Sequence, residues 1–266
     1  MVIRHTALFI AFSLVCLFSA GCTDNYIKVH SLKATVSEAP EIHGANTSQK
    51  PHSGTFRFTG KINSNRPNTS HEQISNHIHG STYFTDVYYK LGGIDFSAKA
   101  DFFYKRDEFF FGTGVGYKDG IYHNFLLGAN LQHLEFGLFF GLYHQYSNLS
   151  YEVSRCTYDN DIFTKSKETC EPSYKEQIDR FNHNPFMGGF AGIILDKMFF
   201  NYSVSVYSPQ IKIEDYSLDA AIITSNYLTL GYRLNKWVEI SGGAIITYLD
   251  TPLWYYGFSV GTSLYF

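Results

Sequence analysis

Apolar residues alternate with small or polar residues along most of this chain, and the clearest example is its C-terminal end. Residues 255–266 read YYGFSVGTSLYF, with Phe258, Val260, Leu264 and Phe266 at one parity and mainly Gly and Ser at the other. Successive side chains of a β-strand point to opposite faces. This period of two therefore predicts a strand with one apolar face and one polar face.

The same alternation predicts about ten strands between residue 54 and the C-terminus. Short turn sequences separate many of them, including Asp119-Gly120, a pair that favours a two-residue hairpin. Lipid-facing and lumen-facing residues alternate in membrane barrels, so we expect an all-β protein, an antiparallel up-and-down transmembrane β-barrel. The predicted strands cover residues 55–63, 92–102, 109–117, 124–131, 134–142, 186–195, 199–212, 222–234, 237–249 and 255–266.

The lengths of the connections support the same architecture. Turns of about two residues are predicted near Arg106, Gln132, Asp196 and Asn235, and all four fall at the same end of the barrel as the C-terminus. Long polar segments cover residues 64–91 and 154–184. Outer-membrane barrels keep short turns on the periplasmic side and long loops outside. We therefore expect both long segments to face outward.

The N-terminus predicts export. Arg4 and His5 precede an apolar run at residues 7–18, and small residues lead to Cys22. This pattern is typical of a signal peptide at residues 1–21, and its apolar core is shorter than the roughly 20 residues of a spanning helix. Residues 22–53 are polar without a sustained period, so we expect a flexible tether followed by the barrel at 54–266.

Two segments resemble known bacterial signals. The strand ending at Phe266 resembles the C-terminal assembly signal of outer-membrane β-barrel proteins. This implies a bacterial outer-membrane location and contact with the barrel-assembly machinery and outer-membrane lipids. The sequence Ala20-Gly21-Cys22 resembles a bacterial lipobox, which implies that Cys22 carries lipid such as palmitate and holds a tether in the periplasm. Ordinary cleavage by the general signal peptidase is the alternative.

Composition is consistent with an exported barrel. Aromatic residues make up 18% of the chain, Gly occurs 22 times, and the net charge is −3. This charge gives no indication of a nucleic-acid partner. A soluble sandwich also alternates, but the amount of apolar surface on one face favours the membrane barrel. Cys156 and Cys170 lie close together in a polar segment, and an oxidising compartment favours a disulfide between them.

Charged residues also fall at positions predicted to face the lumen. Both signs are present, and buried unpaired charges are costly, so we expect these side chains to pair in a filled interior. A barrel near eight strands has room for its side chains and little more. The predicted lumen charge network comprises Arg57, Lys61, Asp95, Lys99, Asp101, Glu135, Arg233 and Glu239.

One segment is a weak candidate for catalysis. Residues 143–148 read YHQYSN and resemble the His-x-Ser-Asn patch of outer-membrane phospholipase A and of lipid A deacylases. The resemblance implies a histidine that activates a serine, here His144 and Ser147. Their spacing is three rather than two, which places them on opposite faces of a strand unless a bulge intervenes. An interfacial His and Tyr at the lipid headgroups is the simpler interpretation.

No cofactor or metal site is expected. His71, His77 and His79 lie in the first long segment, but Cys or carboxylate partners at metal-binding spacing are missing. We therefore expect a non-enzymatic outer-membrane lipoprotein with a structural or surface-interaction role, in which the long segments meet an extracellular ligand. The alternatives are a lipid or ester hydrolase at His144 and Ser147, and a narrow solute channel.

Overall fold

We analysed a computed structural model of the chain, which describes residues 22–44, 53–78, 81–160, 167–213, 216–219, 222–249 and 253–266. The predicted signal peptide and residues 45–52 of the predicted tether lie outside these ranges. The strands are β1 (Cys22–Thr35), β2 (Ser53–Ile78), β3 (Ser81–Arg106), β4 (Phe109–Tyr117), β5 (Gly120–Leu131), β6 (Leu134–Asn160), β7 (Lys167–Cys170), β8 (Tyr174–Leu195), β9 (Met198–Tyr207), β10 (Gln210–Ile213), β11 (Tyr216–Asp219), β12 (Ile223–Arg233), β13 (Val238–Leu249) and β14 (Leu253–Tyr265).

Ten of these strands close into an antiparallel barrel, as the alternation predicted. Going around the sheet, the order is β2, β14, β13, β12, β9, β8, β6, β5, β4 and β3, and β3 pairs with β2 to complete the circle. The last strand joins the first in the closure: Gly257 to Tyr265 of β14 pair with Asn65 to Arg57 of β2. Closure leaves no free sheet edge, which is what allows a sheet to cross a membrane.

The apolar face of each strand points outward. On β14, Phe258 and Val260 are each 70% exposed, whereas Ser259 is 4% and Ser263 is 1% exposed. The burial pattern of β4 alternates in the same way. Large apolar side chains that stay exposed around a closed barrel form the band that faces lipid. The alternation in the sequence thus separates the lipid-facing residues from those of the lumen.

The short turns depend on residues that accept a left-handed backbone. Asp107, Asp119, Gln132 and Asp196 have φ angles of 56°, 51°, 54° and 38°. Positive φ at these positions matches the twist of two-residue hairpins, and short polar side chains tolerate it best. The turn before β13 is built differently, because the Asn235 side-chain oxygen accepts the backbone N–H groups of Trp237 and Val238 at 2.8 and 3.0 Å.

The two long segments differ from the expected polar loops. The segment predicted at 64–91 is mostly strand, since β2 extends to Ile78 and β3 begins at Ser81. The segment predicted at 154–184 contains the end of β6, all of β7 and the start of β8. The polar composition of these extensions favoured loops in the sequence and concealed their strand structure. Residues 210–213 and 216–219, expected as the end of a strand and a loop, pair with each other as β10 and β11.

The chain divides into two compact units. The barrel unit comprises Lys33–Glu72, Tyr88–Leu149 and Ile178–Phe266. The second unit comprises the described residues up to Leu32, together with Gln73–Val87 and Ser150–Gln177. It has a core of its own, with Val29, Leu32, Val87, Tyr151 and Val153 each no more than 2% exposed. The described residues include no helix that is long and apolar enough to span a membrane.

The second unit contains the disulfide. Cys156 of β6 and Cys170 of β7 are bonded, and they are direct partners in the register of the two strands. Nearby, the Tyr26 hydroxyl of β1 donates to the Glu168 carboxylate at 2.6 Å. The predicted disulfide is therefore present, and it ties a short strand to a long one.

Candidate functional site in the barrel lumen

The barrel lumen is occupied by part of the N-terminal chain. Residues 36–44, which we call the lumen segment, lack strand structure and are almost entirely buried within the barrel unit. Ala39 and Ile42 are both fully buried. The expectation of a flexible tether is therefore wrong for residues 22–44, of which residues 22–35 form β1 and the rest lie in the lumen. The polar residues of the segment, which indicated a tether, are instead those that bind the polar side chains of the lumen.

Arg57 of β2 is the best-connected charge of the lumen. Its side chain is fully buried, and its Nη2 lies 2.7 Å from Oδ2 of Asp101 on β3. Its Nε also donates to Asp101, at 3.1 Å. A different edge of the guanidinium binds the lumen segment. Its Nη1 donates to the Gly44 carbonyl at 2.5 Å and lies 3.1 Å from Nδ1 of His43. Only a planar fork of donors can serve both sets of acceptors at once.

Two lysines hold the carboxylates of the lumen segment. Lys61 Nζ contacts both carboxylate oxygens of Glu41 at 2.8 Å, and the Thr229 hydroxyl donates to Glu41 at 2.9 Å. Lys118 pairs with Glu38. Buried charges are stable only when they are paired and hydrogen-bonded. The two carboxylates and the two ammonium groups therefore neutralise each other inside the barrel.

Neutral side chains from other strands bind the backbone of the lumen segment. The Ser203 hydroxyl of β9 donates to the Ile42 carbonyl at 2.6 Å, and the Tyr227 hydroxyl of β12 donates to the Ala39 carbonyl. The Ser225 hydroxyl accepts the Ala39 N–H at 3.1 Å. A backbone without secondary structure needs such partners when it is buried. The small polar residues of the lumen face supply them.

The lumen segment approaches a carboxylate closely at Gly44. A Cβ added at Gly44 would lie 1.9 Å from Oε1 of Glu135, which is 1% exposed. Glu135 also accepts from the Asn130 amide at 3.5 Å. A larger residue at position 44 therefore requires the buried Glu135 carboxylate to move.

The eight charges predicted to face the lumen divide into two sets. Arg57, Lys61, Asp101, Glu135 and Glu239 are buried, and Asp95, Lys99 and Arg233 are half-buried. Of the second set, Lys99 Nζ lies 2.9 Å from Oδ1 of Asp101. Asp95 accepts from the Asn63 amide at 2.5 Å. Glu239 accepts from the Tyr265 hydroxyl at 2.7 Å, and its backbone register partner on β12 is Arg233.

A cavity of about 30 Å³ lies beside the lumen segment, between Glu41, Lys61, Asn63 and Lys99. One water needs about 10–15 Å³ of such space, so this cavity suits one to three waters. Ten strands enclose more room than inward side chains fill by themselves, and the lumen segment takes up that room.

Of the candidate catalytic pair, the structure describes the side chain of His144. His144 lies on the outward face of β6, since its neighbours Tyr143 and Gln145 are buried in the lumen. Its Nδ1 lies 2.5 Å from Nδ1 of His183. The side chain of Ser147 lies outside the described residues. Hydrolysis by this pair is therefore still only a hypothesis.

Of the three histidines His71, His77 and His79, only the side chain of His71 is described. His71 stacks on Tyr88 with ring centroids 4.7 Å apart, and the side chains of His77 and His79 lie outside the described residues. Within the described ranges, Cys156, Glu168 and Cys170 come close enough for a shared metal ion. The disulfide removes both thiolates, so this group does not fit a metal.

Sequence reasoning missed the lumen segment and its partner Lys118. The segment contributes Glu38, Glu41 and His43, which read as ordinary polar residues of a linker. A weak signal was available: among the described residues, cations at lumen-facing positions, with Lys105 and Lys118 included, outnumber the predicted lumen carboxylates Asp95, Asp101, Glu135 and Glu239. The periodicity of apolar residues cannot reveal such a segment, because the segment forms no regular secondary structure.

Comparisons with known proteins agree with the fold and do not reach further. No protein-family model matches the chain, and no curated protein matches it. Among solved structures, it is similar to an outer-membrane channel from Pseudomonas putida F1, with 10% identity, a TM-score of 0.42 and coverage of 85% of this chain and 100% of the other. It is also similar to the outer membrane protease OmpT from Escherichia coli, with 9% identity, a TM-score of 0.33 and coverage of 84% and 99%.

A third similar structure is the translocator domain of the autotransporter NalP from Neisseria meningitidis. Its identity is 7%, its TM-score is 0.34, and the match covers 82% of this chain and 90% of that domain. These likenesses concern the fold alone. The closed sheet and its outward apolar band are by themselves those of a transmembrane β-barrel.

Proposed function

We propose that this protein is a self-plugged outer-membrane β-barrel lipoprotein with a structural or surface-interaction role. The single observation that carries the proposal is the lumen segment, whose carboxylates Glu38 and Glu41 are paired with lysines inside the barrel. An unfilled pore would offer a path for solutes, whereas a filled lumen stabilises the barrel as a platform. The N-terminal lipid is proposed on Cys22, from its lipobox-like sequence.

The interaction surface is proposed to lie on the second unit. This unit has its own buried core and is bound together by the Cys156–Cys170 disulfide. An ordered surface loses less conformational entropy on binding than a flexible loop does. Its strands therefore suit contact with an extracellular ligand better than the polar loops expected from the sequence.

The conductance of the purified protein in planar lipid bilayers tests the proposal against the channel alternative. We expect the wild type to give no stepwise current. A variant lacking residues 22–44 keeps all ten barrel strands and provides the matched control, and we expect it to conduct if it refolds. Refolding is checked by heat-modifiable gel mobility, which a closed barrel shows because it resists detergent. Steady conductance of the wild type would favour the channel.

A hydrolase assay tests the second alternative. Purified protein is incubated with fluorogenic phospholipid and ester substrates, beside the variants His144→Ala and Ser147→Ala. We expect no hydrolysis above that of an unrelated refolded barrel, because His144 faces outward and contacts His183. Hydrolysis that both substitutions abolish would replace the proposed role with an enzymatic one.

A further inference from the structure

The lumen segment crosses the barrel in one direction, and its two ends contact different turns. At its N-terminal end, the Val36 N–H donates to the Lys90 carbonyl at 3.0 Å. The Ser37 hydroxyl donates to Oδ2 of Asp119 at 3.1 Å. Asp119 lies in the turn between β4 and β5. This end of the segment is therefore at the barrel mouth that contains the β4–β5 turn.

The C-terminal end of the segment lies at the opposite mouth. Gly44 packs against Glu135, the second residue of β6, directly after the β5–β6 turn. Its carbonyl accepts from Arg57, which lies opposite Tyr265 near the end of β14. Consecutive turns of an antiparallel barrel fall at opposite ends, so the β4–β5 and β5–β6 turns mark the two mouths.

The length of the segment agrees with a single crossing. Nine extended residues span at most about 30 Å, which is close to the thickness of the hydrocarbon core. Between the two ends, contacts on β9 move from Tyr207 at Ser37 to Ser203 at Ile42, and contacts on β12 move from Tyr227 at Ala39 to Thr229 at Glu41. The chain therefore enters at one mouth and leaves at the other.

The connections distinguish the two mouths. The mouth near Gly44 carries the short turns after β3, β5, β8 and β12, and the C-terminal residue Phe266. The mouth near Val36 carries the long connections between β6 and β8 and between β9 and β12. Outer-membrane barrels place short turns in the periplasm and long connections outside. By this rule, Val36 lies at the outer mouth and Gly44 at the periplasmic mouth.

We infer that the chain threads its own barrel from the outside inward, so that the residues preceding Val36 start on the cell surface. This inference rests on the outer-membrane location and orientation proposed above. It differs from the periplasmic tether expected from the sequence. A lipid on Cys22, the first residue of β1, then inserts into the outer leaflet rather than the inner one. The barrel closes around a chain that already carries its anchor.

Cysteine labelling on intact cells tests this topology. The substitutions Lys33→Cys and Asn25→Cys place a thiol at exposed residues before the lumen segment. Lys197→Cys places one at an exposed residue of the β8–β9 turn, at the opposite mouth, and serves as the matched control. Cells are treated with a membrane-impermeant maleimide before or after permeabilisation. Heat-modifiable mobility confirms that each variant has assembled.

We expect Lys33→Cys and Asn25→Cys to be labelled equally before and after permeabilisation, and Lys197→Cys only afterwards. Labelling of both N-terminal thiols only after permeabilisation would overturn the inference, as would labelling of Lys197→Cys alone on intact cells. Maleimide labelling of the wild-type protein tests the lipid proposal separately. Because Cys156 and Cys170 are bonded, it reports whether the thiol of Cys22 is free. A reactive Cys22 would disprove acylation and leave the threading to be decided by the other thiols.

Discussion

Arg57 and Asp101 form an ion pair inside the barrel, with Nη2 and Oδ2 2.7 Å apart and both side chains fully buried. The same guanidinium binds the Gly44 carbonyl of the lumen segment. One side chain therefore connects two barrel strands with the segment that fills their lumen. Its charge is compensated on one side by a carboxylate and on the other by a carbonyl dipole.

Replacing Arg57 should destabilise the barrel strongly. Arg57→Gln leaves the Asp101 carboxylate with less compensation, and removal of one partner of a buried ion pair costs about 3–5 kcal/mol. We expect a fall of that size in the free energy of unfolding, measured by urea titration in lipid vesicles. Arg106→Gln, at an exposed residue at the end of β3, is the control and should change stability by less than about 0.5 kcal/mol. Equal effects of both variants would contradict the assignment.

The glycine at the end of the lumen segment should resist enlargement. Gly44→Ala places a methyl group 1.9 Å from the Glu135 carboxylate, so the segment or Glu135 must shift. Overpacking of this kind costs about 1–3 kcal/mol. Gly60→Ala is the matched control, because its Cβ would meet only the Phe96 ring at 3.8 Å. The unfolding free energies of the two variants should differ, and equal values would contradict the tight packing of Gly44 against the buried Glu135 carboxylate.

The disulfide should be dispensable for the barrel. Replacing both Cys156 and Cys170 by Ser leaves the ten paired strands and the lipid-facing surface unchanged. We expect normal insertion and heat-modifiable mobility, and greater protease cleavage between residues 154 and 184 on intact cells. The cross-link closes a loop of 14 residues, worth about 3 kcal/mol if unstrained. Failure of the double variant to assemble would show that this region contributes to the barrel itself.

Acylation of Cys22 has a direct readout. Cells grown with labelled palmitate should incorporate label into the wild-type protein, and Cys22→Ser should lose it. The motivation is the Ala20-Gly21-Cys22 sequence. The barrel of the Cys22→Ser variant should still be heat-modifiable, because its strands do not involve the lipid. Persistent labelling after the substitution would refute the assignment.

The barrel could be predicted from the sequence because lipid imposes a pattern on every strand. Residues such as Phe258 and Val260 must be apolar where they face hydrocarbon, and Ser259 must be small or polar where it faces the lumen. The short turns could be predicted for a related reason, since positive φ restricts the residues that fit. Strand ends outside this alternating pattern carry no such signal, so the full lengths of β2 and β3 could not be predicted from the sequence.

The lumen segment could not be predicted because its partners are distant in sequence. Glu41 contacts Lys61 and Thr229, which are 20 and 188 residues away in the sequence. Neither contact produces a local sequence pattern. The charges of the strands could be assigned to the lumen from parity alone, as Arg57 and Asp101 illustrate. The partners of these charges include residues of the lumen segment, whose sequence is typical of a linker.

A cross-link between the lumen segment and a strand tests the central claim most directly. The Ala39 N–H donates to the Ser225 hydroxyl at 3.1 Å, so cysteines at these positions lie within the roughly 7 Å between Cα atoms that a disulfide allows. Asn226 faces the other side of β12, where it accepts from the Tyr202 hydroxyl. Mass spectrometry of the oxidised protein should find the link in Ala39→Cys/Ser225→Cys and not in Ala39→Cys/Asn226→Cys. No link at 225, or equal links at both positions, would contradict a chain that runs through its own barrel.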